Sequence, residues 1–376
     1  MPAEFGVLKT SCVYTGSFRP SENKAITKDE LDRAKEPVVS GTIIVSRMNT
    51  PGLVGASGYV EQGDPMLFLP DRLWQLYPKN DIDARWLAAL IGSPHYRALL
   101  GSMATGTSSS MRNISQEGLG SLPVVVPPLH EQRCIAKILR TWDEAIEKAE
   151  RLIAAKVATF DHWSHAVLTG RQRLRRERTN WQSLALTDVT REATARNAGS
   201  QLNANAVMGV NKLHGMIPMK DHVRAADLSR YKIVHPGAFA YNPMRLNIGS
   251  LAQNDHGLDV LVSPDYVVFE AGLESLLPAY FDHLRRTPMW SRFVKAAGSG
   301  GVRVRIYYDD LTDFILELPP LDEQARIVEV LDTGRREIAI LERQRDALAK
   351  QKRGLMKKLL TGEWTVKVPE SQEAAE

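Results

Sequence analysis

Two short stretches of the chain carry side chains suited to reading hydrogen-bond patterns. The first is Ser46-Arg47-Met48-Asn49-Thr50, directly after the β-branched run Thr42-Ile43-Ile44-Val45. The second is Asn242-Pro243-Met244-Arg245-Leu246-Asn247, directly after Phe239-Ala240-Tyr241. An arginine fork pairs bidentately with the major-groove edge of guanine, and an asparagine amide with that of adenine. Arg47, Asn49, Asn242, Arg245 and Asn247 are therefore candidate base contacts at strand ends, the plainer alternative being a solvated loop. Two further stretches are small, polar and arginine-bearing: residues 106–113 with Ser108, Arg112 and Asn113, and residues 298–305 with Arg303 and Arg305. Their Gly and Ser residues let backbone N–H groups approach a phosphate closely, so phosphate contact is preferred to base contact, against a plain loop. Tyr307 and Tyr308 follow; they could reach a groove, and core packing is the preferred reading. The run RQRLRRER at 171–178 holds five arginines. It is read as a phosphate contact, a solvated linker or a segment salt-bridged to a partner.

Catalytic patterns are missing from the sequence. An adenine methyltransferase needs a Gly-rich cofactor loop and an Asn/Asp-Pro-Pro-aromatic motif; Asn242-Pro243-Met244-Arg245 lacks the second proline and the aromatic residue. The GSGG at 298–301 is not followed by GK[ST], so it is no P-loop. The nine histidines form neither HExxH nor a Cys/His cluster, and no G-x-S-x-G elbow occurs. Asp309-Asp310 is an adjacent carboxylate pair of the kind that is ordinarily solvated. The expectation is a chain with no catalytic residue, no metal and no cofactor of its own.

These segments must be held by a fold of some size. A length of 376 residues predicts two or more domains, each able to bury a core. A net charge of +4 permits nucleic-acid binding without demanding it. Cys12 and Cys134 form no CxxC pair, which fits a reducing compartment. No run of 18 apolar residues is present and the first residues do not read as a secretory signal, so no membrane and a cytoplasmic location are expected.

Self-similarity organises the chain. Residues 124–132 read VVVPPLHEQ and residues 316–324 read LELPPLDEQ, 192 positions later. The match runs on without a gap through Ile135/Ile327, Leu139/Leu331 and Ile146/Ile338 to Leu168-Thr169-Gly170 and Leu360-Thr361-Gly362. Upstream, Gly41, Gly55, Pro94 and Gly106 correspond to Gly237, Gly249, Pro288 and Gly300 with small shifts. Each unit therefore reads as a globular part of mixed strand and helix followed by one long helix, and the chain as a pseudo-symmetric dimer.

Proline pairs before the first turn, acidic residues Glu131, Asp322 and Glu323 within it, and Gly170 and Gly362 at the ends mark both helices. Apolar residues recur at heptad spacing: Ile135, Leu139, Trp142, Ile146, Ile153 and Phe160 in the first, with a charged break at Lys156; Ile327, Leu331, Ile338, Leu341, Leu348 and Leu355 in the second, with breaks at Gly334, Arg345 and Lys352. Each would be a rod of roughly 60 Å. The spacing predicts an antiparallel pair with the globular parts at opposite ends, the alternative being helices packed on their own domains.

The doubled PPL-x-EQ, long helix and closing LTG, after two unlike globular halves, resembles the specificity (S) subunit of Type I restriction-modification systems over nearly the whole chain. The resemblance implies a mixed α/β (α+β) fold with two target recognition domains, each reading one half of a split site on double-stranded DNA, separated by an antiparallel coiled coil. It implies docking of methyltransferase (M) subunits, which use S-adenosylmethionine, and of restriction (R) subunits, which use ATP and Mg; none of these cofactors would be bound by this chain. The corresponding boundaries are 1–126 and 171–318 for the recognition domains, 127–170 and 319–362 for the helices, and 363–376 for a disordered tail. One departure stands out. The second unit opens with Trp181-Gln182-Ser183-Leu184-Ala185-Leu186-Thr187-Asp188-Val189, whereas the first is read as lacking such an opening segment, through an upstream start or natural shortening. Whether the first domain reads DNA fully turns on that. The rival readings are a coiled-coil scaffold without a DNA role and a fused enzyme.

Overall fold

A computed structural model describes residues 5–366, apart from 15, 109–110, 175–179, 200, 220–226 and 299–304. The chain forms two compact units, Met1–Arg151 with Glu342–Glu376 and Leu152–Leu341. Each of the two long helices, Leu129–Leu168 and Leu321–Leu360, passes from one unit into the other.

In the first unit, Ile43–Ser46 is the middle strand between Ser57–Tyr59 and Leu73–Leu76, antiparallel to both. It is buried throughout, which explains an apolar run without alternation. A four-stranded sheet runs in the order Asn23–Ala25, Gly6–Leu8, Asp64–Phe68, Pro37–Val38. Helices Ala84–Gly92 and Pro94–Met103 follow; Asp83 caps the first, and Ser93 with Pro94 starts the second.

The second unit repeats the theme in larger form. Thr190–Glu192, Val267–Ala271, Phe239–Tyr241 and Leu251–Gln253 make an antiparallel sheet, and Gln182–Ala185 pairs with Ile315–Leu318. Helices Pro278–Leu284 and Pro288–Ala297 close the core, where Phe281 meets Phe239, Phe269 and Trp290 edge-on at 5.0–5.7 Å. Equivalent glycines take the left-handed conformation in both units: Gly41 and Gly237 at φ +80° and +85°, Gly55 and Gly249 at +77° and +90°.

The Glu-Gln of the repeated motif starts each long helix. Gln132 is buried; its Oε1 accepts from Asp83 N–H at 2.8 Å, and its Nε2 donates to the carbonyls of Asp81 and Pro127 at 3.2 and 2.9 Å. Gln324 repeats this with Leu277 N–H at 2.9 Å and the carbonyls of Ser275 and Pro319 at 2.7 and 2.9 Å. One amide thus joins the helix start to the loop ahead of the first short helix of its unit, Ala84–Gly92 or Pro278–Leu284.

Within each unit the start of one long helix lies against the end of the other. Ile135 and Leu139 share a core with Leu359 and Leu360, and Val167 and Leu168 with Ile327 and Leu331, so the pairing is antiparallel in both units. Trp142, Ile146, Ile153, Phe160, Ile338, Leu341, Leu348 and Leu355 are half-buried along the same stripes. Three of the seam breaks are matched. Lys156 Nζ lies 2.6 Å from Glu337 Oε1, Lys352 pairs with Asp143, and Gly334 gives way to the Phe160 ring. Gly170 and Gly362 end the helices at φ +68° and +74°. The first residues of the expected disordered tail, 363–366, are held by contacts, contrary to that expectation. Trp364 N–H donates to the Lys358 carbonyl at 3.0 Å, Lys358 sits 4.2 Å from the Trp364 ring centroid, and Val366 N–H donates to Glu131 Oε1 at 3.0 Å. The remainder of that tail lies outside the described residues. Among those described, no helix is long and apolar enough to cross a membrane.

In the second unit a charge cluster joins the long helix to the globular part. Asp282 meets Arg285, Arg286 and Arg335 at 2.5, 2.9 and 3.4 Å. Burial pushes the Asp282 carboxyl up, but the guanidiniums more than offset it and hold it low. His283, 3% exposed, lies with Nε2 2.8 Å from Asp332 Oδ1. Burial pushes its pKa from 6.5 down to about 4, assisted by Arg335. The unfolded chain therefore takes up this proton first. Stability from neutral His283 is present above about pH 6.5 and is lost as pH falls towards 4, at about 1.4 kcal/mol per unit. The melting temperature of the wild-type chain should fall over this window, and His283→Gln should flatten the slope; equal slopes contradict the assignment. A second prediction concerns Gly334, where an added Cβ lies 2.8 Å from Phe160 Cδ2. Gly334→Ala gains about 1 kcal/mol of helix propensity but overpacks at about 1–3 kcal/mol. Thermal melts should show net destabilisation, relieved by adding Phe160→Leu.

Candidate nucleic-acid interface

In the first unit, chain segments some sixty residues apart meet in one small antiparallel sheet. Its strands are Met48–Asn49, Met111–Asn113 and Thr105–Ser108, with Arg112 opposite Asn49 and Asn113 opposite Met48. Both candidate stretches of this unit are therefore parts of one surface. Arg47 is half-buried; its Nε donates to the Asp71 carbonyl at 2.5 Å, and its guanidinium lies 5.6 Å from the Trp74 ring centroid. These contacts fix the direction of the fork. Arg112 Nη1 donates to the Ala104 carbonyl at 3.1 Å. Ser108 lies opposite Met111 in register, and its side chain is outside the described part.

Asn49 must be corrected. It is 7% exposed, its Nδ2 donates to Tyr14 Oη and Ser46 Oγ at 3.0 and 3.1 Å, and its Oδ1 accepts from Thr50 N–H at 2.9 Å. Both ends of the amide are used inside the fold, so Asn49 shapes the strand end and does not offer an edge to a base. Asn113 is half-buried with its Oδ1 turned inward, where no partner is found among the described residues.

In the second unit the strand Phe239–Tyr241 runs into a turn ending in the short 3-10 segment Leu246–Ile248. Asn242 Oδ1 accepts from Met244 N–H at 2.9 Å, so this side chain organises the turn while its amide nitrogen stays beyond that bond. Arg245 and Asn247 are exposed on the turn, with the apolar Met244 and Ile248 exposed beside them. The described residues at the two ends of the second candidate loop, Gly298 and Ile306, adjoin the same turn. Ile306 N–H donates to the Pro243 carbonyl at 3.2 Å, and a Cβ on Gly298 would come 3.2 Å from Asn247 Cβ. Arg305 is exposed and donates from Nη1 to Tyr307 Oη at 3.2 Å; Arg303 lies outside the described residues. Tyr307 is itself 50% exposed, contrary to the core placement expected, whereas Tyr308 does pack against Phe269.

Lys212 was missed in the sequence. It sits at the tip of the hairpin Met208–Asn211/Gly215–Pro218, and its chain reaches the Gly249 end of the turn. The signal was present as two apolar runs around Asn211-Lys212-Leu213-His214-Gly215. In the arginine-rich run, Arg173 stacks 3.9 Å from the Trp181 ring centroid and lies 4.0 Å from Glu323 Oε1; Arg175, Arg176 and Arg178 are outside the described residues.

The arrangement offers guanidinium and amide donors together with exposed apolar groups, the combination that reads base edges and thymine methyls. Residues 9–156 match the family described as Type I restriction modification DNA specificity domain. The specificity subunit of the Escherichia coli Type I restriction enzyme EcoEI is 30% identical over 149 residues, 39% of this chain but only 25% of that subunit's length. The putative MjaX specificity subunit of Methanocaldococcus jannaschii is 22% identical over 89% of this chain and 81% of its own. The fold is similar to the HsdS subunit from Thermoanaerobacter tengcongensis, with a TM-score of 0.52 at 19% identity over 96% of this chain and 91% of that one. With its doubled helix motif and its paired units, the chain is similar to specificity subunits of Type I restriction-modification systems, residues 9–156 carrying the match to the specificity-domain family.

Proposed function

We propose that this chain is the DNA-recognition subunit of a Type I restriction-modification complex and reads a bipartite site, one half through each unit. The observation that carries the reading is the convergence of segments distant in sequence: in the first unit Met48–Asn49 and the strands Thr105–Ser108 and Met111–Asn113 form one sheet, and in the second the ends of the arginine-bearing loop, Gly298 and Ile306, meet the turn at Asn247 and Pro243. In the second unit Arg245, Asn247 and Arg305 are the base- and phosphate-contacting side chains, with Lys212 beside them; in the first, Arg47 and Arg112 take that part. The long helices dock methyltransferase and restriction subunits and set the gap between half-sites. Catalysis belongs to those partners: S-adenosylmethionine is held by the methyltransferase, and ATP and Mg by the restriction subunit. The complex acts in the cytoplasm, on genomic DNA.

The test is selection of a randomised duplex library by the complex of this chain with its methyltransferase. Arg245→Ala should relax one position of the selected motif, a bidentate contact being worth about 1–3 kcal/mol. Lys212→Ala should weaken binding evenly and lower the salt slope by about one. Wild-type selection by both variants overturns the assignment.

A further inference from the structure

The hairpin Met208–Asn211/Gly215–Pro218 of the second unit ends in a three-residue loop, Lys212-Leu213-His214, closed by the pair Asn211 and Gly215. Its own sequence sets its shape. Asn211 Oδ1 accepts from Leu213 N–H at 2.8 Å and from His214 N–H at 3.1 Å, and Gly215 takes the left-handed conformation at φ +70°. The stem is fixed as well. Met208 and Met216 are buried with Val234, Ala240 and Ala252. The Ser250 hydroxyl donates to the Val210 carbonyl at 3.3 Å, and His256 Nε2 donates to the Met216 carbonyl at 3.0 Å. A hairpin tied in this way holds its tip off the core, and Leu213 is 82% exposed.

A single exposed leucine is ordinary on a protein surface. Here three large apolar side chains gather. The Lys212 chain lies 3.3–3.5 Å from where a Cβ on Gly249 would sit, which sets the tip beside the turn carrying Arg245 and Asn247. Ile248 and Met244 on that turn are 57 and 47% exposed. Leu213, Ile248 and Met244 thus stand in solvent among Lys212, Arg245, Asn247 and His214. The cations match the phosphates of a duplex. A leucine finds no such partner on the DNA backbone. The largest apolar surface of a duplex is the stacked faces of its bases, reached only where a base step is opened.

We propose that Leu213 is a wedge: it enters between two adjacent base pairs of the half-site bound by the second unit, unstacks them and bends the duplex, while Lys212 holds the neighbouring phosphate. The inference rests on the reading that this unit binds DNA. A preordered tip loses little freedom on insertion, and a branched aliphatic side chain fills an opened step without needing a hydrogen bond. Discrimination at that step then comes from how readily it opens, pyrimidine–purine steps yielding most easily, and not from the edges of its bases. Leu213 therefore contributes to site selection at a position that Arg245 and Asn247 do not read.

Energy transfer between two dyes on the duplex tests it, the pair being placed across each half-site in turn. The sample is the complex of the full chain with its methyltransferase, bound to the duplex that this complex selects. Wild type should bend one half-site by about 20–90°. Leu213→Ala should relax that bend at saturation, leave the other half-site unchanged and weaken binding about tenfold. Leu213→Met should keep both bend and affinity. Because Leu213 is exposed, the alanine variant should melt as wild type does, which separates the effect from misfolding. A straight duplex with wild type overturns the wedge. So does a wild-type bend with Leu213→Ala; a loss of affinity alone then marks a surface contact such as a thymine methyl. Loss of methyltransferase from the Leu213→Ala complex makes the tip a protein contact and overturns it too. These outcomes leave DNA recognition by the unit standing, whereas a wild-type complex that binds no DNA overturns that reading and the wedge together.

Discussion

The Glu-Gln pair in the first turn of each long helix is the constraint on which the remaining structure depends. Gln132 and Gln324 are buried and each engages three backbone groups. An unpaired buried polar group costs about 1–3 kcal/mol, so losing this amide removes three ties at once and leaves unpaired those of the three groups that water does not reach. The neighbouring glutamates hold the chain that returns after the other helix has ended, at Val366 and at Trp181. Two adjacent side chains therefore fix where a helix begins, which loop it is tied to and where the next segment arrives. The tie is made twice, which is why the repeated motif keeps its glutamate and glutamine while the residue before them varies between His130 and Asp322.

The helix seam is built on complementary shapes and charges and not on a uniform heptad. Trp142 and Gly334 occupy equivalent positions, as do Phe160 and Lys352. In the second unit the large Phe160 ring faces Gly334; in the first, Lys352 is instead taken up by Asp143. Near-equivalent backbones thus carry different seam chemistry. An exchanged register would set Phe160 against a larger residue and leave a lysine without its carboxylate.

Much of this was legible in the sequence because it rests on periodicity and on residues with restricted conformations. The doubled PPL-x-EQ, the heptads and Gly41, Gly55, Gly170 and their partners gave the two-unit plan with its long helices. The roles of individual polar residues were not legible. Asn49 and Asn247 look alike as asparagines at strand ends, yet one is sealed by Tyr14, Ser46 and Thr50 while the other is exposed. What separates them is a tertiary contact from Tyr14, 35 residues away. Tyr307 was misplaced for the same reason: an aromatic residue beside a strand is usually core, but here the neighbouring Tyr308 takes the core position.

The central claim is that two similar but unlike units each read part of one DNA site. Mapping of methylated adenines in a host free of other methylation, after co-expression of this chain with its methyltransferase, tests it most directly. The account predicts a motif of two different short half-sites with a fixed gap. A single continuous motif, or no methylation from an intact complex with its cofactor bound, would contradict it.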